Sequence, residues 1–181
     1  MKEPNRGKTL PIRGRAWKFG DDVNTDLIIA GKYKLSITDL DELSRHAMEG
    51  LIPDFAERFR RGDLIVAGRN FGCGSSREQA PLVLKHLGVG AVIAKSFARI
   101  FYRNAINIGL PAAECRNVNR ISDGDILEVD LEAGLVRNVT KGESYRITPI
   151  HPDLLQILVE GGLINYVKKH GALPWQLRSG R

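Results

Sequence analysis

Short apolar runs separated by polar or glycine-containing stretches set the pattern of this chain. Residues 64–67 and 90–94 are continuous apolar runs, which predict buried strands. Residues 81–87, which lie between them, predict a helix that ends at Gly88. Because strand, helix and strand follow in this order, the pattern predicts a parallel strand pair with a right-handed crossover.

The rest of the chain supplies further elements of both kinds. Further strands are predicted over residues 14–19, 126–130, 135–139 and 145–147, and the second and third of these form a hairpin. Further helices are predicted over residues 39–48, 96–107, 152–160 and 163–170. Residues 32–38 show no clean period and predict an exposed loop.

These elements predict one α/β domain with a mixed sheet. No repeat or linker divides the chain, so the compact domain is placed at residues 13–172. Residues 1–12 are predicted to form a flexible arm and residues 173–181 a loose tail.

Composition and charge narrow the function classes. Hydrophobic residues make up 43% of the chain and charged residues 27%, as in ordinary soluble globular proteins. No apolar run is long enough for a membrane span or a signal peptide. Cys73 and Cys115 are too few for a disulfide framework or a metal site, so a cytoplasmic location is expected. The net charge of +6 is scattered rather than arranged in a basic stripe, so nucleic-acid binding is not expected.

Candidate chemistry is concentrated in residues 68–80, a glycine-rich stretch between a predicted strand and a predicted helix. The glycines let the backbone turn tightly and approach a ligand closely. Ser75, Ser76 and Arg77 follow where backbone N–H groups at a helix start lack partners, which favours a small carboxylate or phosphate. Ser75 with Glu78 three residues later also fits a capping box, whose role is structural. Both interpretations stay open on the residues alone.

Common nucleotide and metal motifs do not fit the chain. Arg77 stands where a dinucleotide fingerprint beginning at Gly72 needs its third glycine. The stretch 68–80 contains neither the Gly-Lys-Ser/Thr of a phosphate loop nor a Gly-x-Ser-x-Gly nucleophile elbow. Residues 22–26 resemble the start of a calcium loop, but glycine and glutamate are missing from its sixth and twelfth positions. These acids are therefore predicted to hold a turn.

The other chemically active side chains give weaker signals. His46, His86, His151 and His170 lie in separate segments without metal-ligand spacing, so surface or core roles are expected. Cys73 is interpreted as a small residue that fills tight space. No metal ligand is assigned to this chain.

Two stretches resemble a known family signature. Residues 72–81 read Gly-Cys-Gly-Ser-Ser-Arg-Glu-Gln-Ala-Pro, and residues 94–104 read Ala-Lys-Ser-Phe-Ala-Arg-Ile-Phe-Tyr-Arg-Asn. Together with residues 20–26 and 109–111, they resemble the 3-isopropylmalate dehydratase small-subunit family, a separate-chain form of the swivelling domain of the aconitase superfamily. The resemblance covers nearly all of residues 13–172 and implies a compact β/β/α fold.

The resemblance implies a two-chain hydro-lyase. A large subunit is expected to carry a 4Fe-4S cluster that acts as a Lewis acid on a small di- or tricarboxylate, and this chain is expected to bind no cofactor itself. Ser75 matches the family's catalytic base, Ser76 is implied as a hydrogen-bond donor, and Arg77 is implied as a clamp on a substrate carboxylate. Gln79 replaces the histidine usual in the family, with an expected effect on nearby hydrogen bonding only. The oligomeric state of the isolated chain is left open, a homo-oligomer included.

In this family, the segment after Gly31 sets substrate choice, and an arginine there goes with an extra carboxylate. This chain has no arginine in the segment, whose candidate residues are Lys34, Leu35, Ser36 and Ile37. Leu35 and Ile37 suit an alkyl group, which favours 2-isopropylmalate and leucine biosynthesis, whereas Lys34 suits a distal carboxylate. Homoaconitate or another alkylmalate is therefore the second hypothesis, and a non-catalytic binding or assembly module of the same fold is the third.

Overall fold

A mixed seven-stranded sheet forms the centre of the protein. The computed structural model describes residues 11–178, and at positions 34, 35 and 178 the description covers the backbone alone. The strands are β1 (Ile12–Lys18), β2 (Leu64–Ala67), β3 (Ala91–Ala94), β4 (Ala112–Glu114), β5 (Ile126–Asp130), β6 (Leu135–Asn138) and β7 (Glu143–Arg146). Their order across the sheet is β4-β3-β2-β1-β5-β6-β7. The first four strands are parallel, and the last three continue antiparallel from β1. The predicted mixed sheet, parallel pair and hairpin are confirmed.

Short helices cover the sheet and connect its strands. Within the described range they are α1 (Thr25–Ile28), α2 (Gly31–Ser36), α3 (Leu40–Ser44), α4 (Phe55–Arg58), α5 (Gln79–Leu87), α6 (Arg99–Ile108), α7 (Pro152–Val159), α8 (Leu163–His170) and α9 (Pro174–Arg178). Helix α8 has the bounds predicted from the sequence. Helix α5 connects β2 to β3, as the apolar pattern predicts.

The strands β2 and β3 are buried along their whole length and divide the core in two. Successive side chains in a strand point to opposite faces, so Ile65 and Val92 lie in one apolar cluster and Leu64 and Ile93 in the other. Each buried aliphatic side chain of this size contributes about 1.5–3 kcal/mol to stability. These two strands therefore form a rigid base for the loops at their carboxyl ends.

Three predictions of local structure are wrong because tertiary contacts outweigh the local pattern. Residues 31–36 form helix α2 instead of a loop. Helix α3 ends at Ser44, the N–H groups of residues 45–47 then donate to carbonyls three residues back in tight turns, and the φ of 59° at Met48 ends the helical path. Helix α6 begins at Arg99 and not at Ser96. The hydroxyl and carbonyl oxygens of Ser96 instead accept hydrogen bonds from the N–H groups of Asn70 and Phe71 in the neighbouring loop.

The two chain ends differ in how far they are described. The arm predicted over residues 1–12 lies largely outside the described residues, and Ile12 is already the first residue of β1. The predicted loose tail contains helix α9, which contacts α7. Pro174 suits the start of a helix because its φ is fixed and its missing N–H is not needed there. Residues 179–181 lie outside the described range. No helix among residues 11–178 has the length and apolar character of a membrane span.

Candidate active site

The glycine-rich loop of residues 68–78 lies at the carboxyl ends of the parallel strands. On one side, the Gly72 N–H donates to Val23 O, in the segment after β1, over 2.8 Å. On the other side, the Phe71 N–H donates to Ser96 O, in the segment after β3, over 3.0 Å. The loop is therefore fixed at the edge of the sheet where ligands of α/β proteins usually bind.

Gly72 is required at its position by both backbone conformation and space. Its φ is +79°, and a Cβ atom there would lie 2.2 Å from Cγ of Phe101. The Phe101 ring also packs edge-to-face on Phe71, with centroids 5.1 Å apart. Helix α6 thus supports the loop directly, three residues before Ser75.

We expect Gly72→Ala to lower the free energy of unfolding by about 3 kcal/mol or more, because the strained φ and the clash with Phe101 add. Gly142→Ala is the matched control. Its φ is also positive, at +68°, but no heavy atom lies within 4 Å of the added Cβ. The control is expected to lose only about 1–2 kcal/mol, the strain of the backbone alone. Urea unfolding of both variants measures the difference, and equal losses would show that Phe101 imposes no constraint.

Ser75 and Ser76 are exposed on the outer side of this loop. Ser75 does not cap helix α5, which begins at Gln79 with Glu78 in the cap position; the capping-box interpretation is therefore wrong. The Arg77 N–H donates to Ser75 O over 2.8 Å and closes a tight turn. Among the described residues, the N–H groups of Ser75 and Ser76 donate no hydrogen bond. They remain available to an anionic ligand, as at other turns that expose successive N–H groups.

Thr25 lies directly behind Ser75 and was not singled out from the sequence. Its side chain is buried, and its Oγ1 lies 3.3 Å from both Oγ and O of Ser75. The Thr25 N–H also donates to Cys73 O over 2.8 Å. A threonine on helix α1 therefore fixes the position of the loop and contacts the hydroxyl oxygen of Ser75.

Arg77 is held on one side by the segment that follows β1. Its Nη1 donates to Asp26 Oδ1 over 2.5 Å and to Ile29 O over 3.0 Å, and its side chain is only 16% exposed. The hydrogen bond from Arg77 is the main cause that holds the pKa of Asp26 below its usual value. Among the described residues, Nε and Nη2 of Arg77 have no hydrogen-bond partner. The guanidinium can therefore still offer two N–H groups on one edge to a carboxylate.

The acidic residues after β1 hold the turns around this site, as predicted. Asp21 accepts hydrogen bonds from the backbone and guanidinium of Arg69, and these bonds lower the pKa of Asp21. Asp22 accepts from the side chain of Asn70 over 2.9 Å, and Asn24 caps helix α1. Their proximity to the loop could not be predicted from the sequence, because it depends on the parallel pairing of β1 with β2.

The segment proposed to set substrate choice lies beside Arg77. A Cβ atom at Gly31, the first residue of α2, would lie 3.3 Å from Nη2 of Arg77. The side chains of Lys34 and Leu35 are outside the described part of the structure. Ser36 is exposed and bonds to carbonyls of its own helix, whereas Ile37 is partly buried against the core. The structure thus brings Gly31, which precedes the candidate positions 34–37, to the Arg77 side chain.

Cys73 and Gln79, which flank the Ser75–Arg77 turn, differ in how far their side chains are buried. Cys73 is partly exposed in the loop. The side-chain oxygen of Gln79 is buried and accepts no hydrogen bond from a described residue.

The four histidines lie apart, and those at 46, 86 and 170 pair with Glu49, Asp41 and Glu160. No cluster of three or more histidine, cysteine, aspartate or glutamate side chains within residues 11–178 is arranged to hold a metal ion.

Comparisons with known proteins point to one family. Residues 25–117 match the family model of the aconitase C-terminal domain. The chain is 55% identical over 163 residues to 3-isopropylmalate dehydratase small subunit 1 of Thermotoga maritima, which covers 90% of this chain and 98% of that protein. It is 58% identical over 158 residues to the methanogen homoaconitase small subunit of Methanothermobacter thermautotrophicus, covering 87% of this chain and 91% of that protein.

A solved structure has the same fold over the same length. The crystal structure of 3-isopropylmalate dehydratase from Methanocaldococcus jannaschii matches with a TM-score of 0.85 and 48% sequence identity. The match covers 94% of this chain and 99% of that chain. The aconitase C-terminal-domain fold expected from the sequence is therefore confirmed.

Proposed function

The chain belongs to the family of 3-isopropylmalate dehydratase small subunits, and we propose that it acts as one, converting 2-isopropylmalate to 3-isopropylmalate together with a large subunit. The observation that carries the proposal is the placement of Ser75, with two free backbone N–H groups, beside an arginine that keeps one edge open. A nucleophilic oxygen and a carboxylate clamp at the end of a parallel sheet fit proton abstraction next to a carboxylate. A cytoplasmic location fits this metabolic role.

The described residues do not provide ligands for an iron-sulfur cluster. Cys73 is partly exposed and Cys115 is buried, and the elements that carry them lie apart in the chain. We therefore propose that the 4Fe-4S cluster resides on the large subunit. This chain contributes the base and the carboxylate site, and the substrate is held between the two chains.

Ser75 removes a proton from the substrate in the proposed mechanism. The Ser75 alkoxide takes the proton from the methylene carbon beside a carboxylate, and the electron pair forms a carbon–carbon double bond as the hydroxyl on the neighbouring carbon leaves. The leaving hydroxide takes a proton from solvent and becomes water. In the rehydration, Ser75 returns its proton to the carbon that lost the hydroxyl. A water molecule gives up a proton to solvent as its hydroxyl adds to the other carbon, which gives the isomer.

A serine becomes a base only where its alkoxide is stabilised. Thr25 Oγ1, 3.3 Å from Ser75 Oγ, is placed to donate a hydrogen bond to it. The free N–H groups of Ser75 and Ser76 and the guanidinium of Arg77 add positive potential at the same turn. Because these donors are fixed by the loop, they need little reorganisation when the charge develops.

Asp26→Asn is expected to raise the KM for substrate more than it lowers kcat, because Asp26 orients Arg77 without being placed to touch the reacting atoms. In the wild type, the lowered pKa keeps Asp26 ionised at neutral pH. The stability that ionised Asp26 contributes is therefore fully present above the unfolded pKa of about 3.9, and it is lost only as the pH falls through the lower folded pKa. Steady-state kinetics between about pH 6 and 8 should show no titration of Asp26. A decrease in kcat that is larger than the increase in KM would assign Asp26 a direct role.

Homoaconitate is the substrate to test against 2-isopropylmalate, since one relative with 58% identity is a homoaconitase small subunit. The pair of chains, with its cluster reconstituted, should turn over 2-isopropylmalate with a higher kcat/KM than homoaconitate or a straight-chain alkylmalate. A preference for homoaconitate would move the chain to that pathway and implicate Lys34. Failure of every substrate with an intact cluster would favour a non-catalytic module.

A further inference from the structure

Helix α2 is attached to the protein by a three-residue network that the proposed chemistry does not use. The Tyr33 hydroxyl donates to Glu49 Oε1 over 2.7 Å, and His46 Nδ1 lies 2.6 Å from Glu49 Oε2. The rings of Tyr33 and His46 stack, with centroids 3.8 Å apart and planes within 13°. One carboxylate therefore joins both rings, with one oxygen for each.

The network is partly shielded from water. The side chains of His46 and Glu49 are 30% and 34% exposed. Hydrogen bonds from His46 and then from Tyr33 hold the pKa of Glu49 below its usual value, so the carboxylate is charged at neutral pH. An ionised acceptor shortens and strengthens both bonds. The Lys32 ammonium adds a cation–π contact, 4.6 Å from the centre of the Tyr33 ring.

Helix α2 depends on an anchor of this kind because its own sequence does not stabilise it. It has six residues and no side-chain cap at its start. Isolated helices of that length are not stable in water. The Ser36 hydroxyl bonds only to carbonyls inside the helix, whereas His46 and Glu49 belong to the turns after α3. The network therefore ties α2 to a separate part of the fold.

The other end of α2 borders the carboxylate-binding arginine. A Cβ atom at Gly31 would lie 3.3 Å from Nη2 of Arg77, and the Gly31 N–H donates to Asp26 Oδ1 over 3.4 Å. Asp26 is the residue that binds Nη1 of the same guanidinium. A shift of α2 by a few tenths of an ångström therefore changes both the space beside Arg77 and the partner that orients it.

We propose that Tyr33, Glu49 and His46 are positioning residues that fix helix α2 against the Arg77 site and thereby set substrate affinity and the choice of substrate side group. The inference rests on the proposed function. It places part of the control of selectivity in a contact between α2 and the turns after α3.

Hydrogen exchange on the isolated full chain tests the anchoring itself. The amides at positions 33 and 37 donate to carbonyls of residues 30 and 33. In Tyr33→Phe and Glu49→Gln, these amides should exchange about tenfold faster or more, since a charge-assisted hydrogen bond is lost. One matched control is Tyr166→Phe, which removes a hydroxyl that donates to Gln156 in the C-terminal helices. The other is Glu57→Gln, at an exposed position of α4. The controls should leave exchange in α2 unchanged.

Kinetics of the two-chain enzyme test the consequence. Tyr33→Phe and Glu49→Gln should each raise the KM for 2-isopropylmalate about five- to tenfold, with kcat within about twofold of the wild-type value. They should also change the kcat/KM ratio between 2-isopropylmalate and a straight-chain alkylmalate by about threefold or more. A ratio equal to that of the controls overturns the proposal, whatever the exchange rates. A wild-type pair that turns over neither substrate contradicts the proposed function instead, and the exchange rates then decide whether the network holds α2.

Discussion

Ser75→Ala is expected to lower kcat of the two-chain enzyme by about 10³-fold or more while leaving the fold and the assembly of the chains intact. General-base catalysis contributes roughly 10²–10⁴-fold, and no other hydroxyl in the loop occupies the same position. Because Ser75 is exposed and Thr25 Oγ1 keeps its contact with Ser75 O when the hydroxyl is removed, the free energy of unfolding should change by less than about 0.5 kcal/mol. Steady-state kinetics and urea unfolding of the same sample measure the two effects.

Two variants serve as comparisons for Ser75→Ala. Ser76→Ala should cost less, about 10-fold, because Ser76 is expected to donate a hydrogen bond and not to move the proton. Ser144→Ala, at an exposed position of β7, should change neither kcat nor stability. Loss of activity by Ser76→Ala with retention by Ser75→Ala would reverse the assignment of the base.

Arg77→Lys is expected to lower kcat/KM by about 10²-fold, even though the positive charge is retained. The guanidinium uses Nη1 for Asp26 and Ile29 and keeps a second edge for a substrate carboxylate, whereas a lysine ammonium cannot serve both sides with fixed geometry. Loss of a bidentate charge-assisted pair of about 2–3 kcal/mol corresponds to a factor of this size.

The control for Arg77→Lys is Arg137→Lys, a similarly ion-paired but exposed arginine on β6, 3.8 Å from Glu128. It should leave kcat/KM unchanged. Thermal unfolding separates the effect on binding from any loss of packing around Arg77. Full activity of Arg77→Lys would mean that only charge, and not the planar fork, is needed at this position.

The parts of the fold set by local pattern could be predicted from the sequence. Strands β2 and β3 follow from continuous apolar runs, and the bounds of α8 follow from its helical pattern. The loop between β2 and α5 follows from its glycines, which interrupt regular structure. Helix α2 could not be predicted, since residues 31–36 show no helical period and the helix depends on contacts with residues 46–49. Propensity is a weak guide wherever tertiary contacts supply the stability.

The stretch that carries the candidate residues could be located from the sequence, but the residues that support it could not. Ser75, Ser76 and Arg77 lie in one recognisable stretch of the chain. The contacts of Thr25 with Ser75 and of Asp26 with Arg77 join residues about fifty positions apart. They arise because β1 and β2 are adjacent and parallel, so the segments after both strands meet. Sequence alone gives neither the pairing nor the register that brings them into contact.

Titration of this chain into a fixed amount of the cluster-loaded large subunit is the most direct test of the central claim. Formation of the unsaturated intermediate from 2-isopropylmalate would be followed under anaerobic conditions, with the cluster monitored spectroscopically. We predict that neither chain is active alone and that turnover rises to a plateau at a fixed ratio of the two chains. Equal activity of the large subunit without this chain, or a silent mixture with an intact cluster, would contradict the claim.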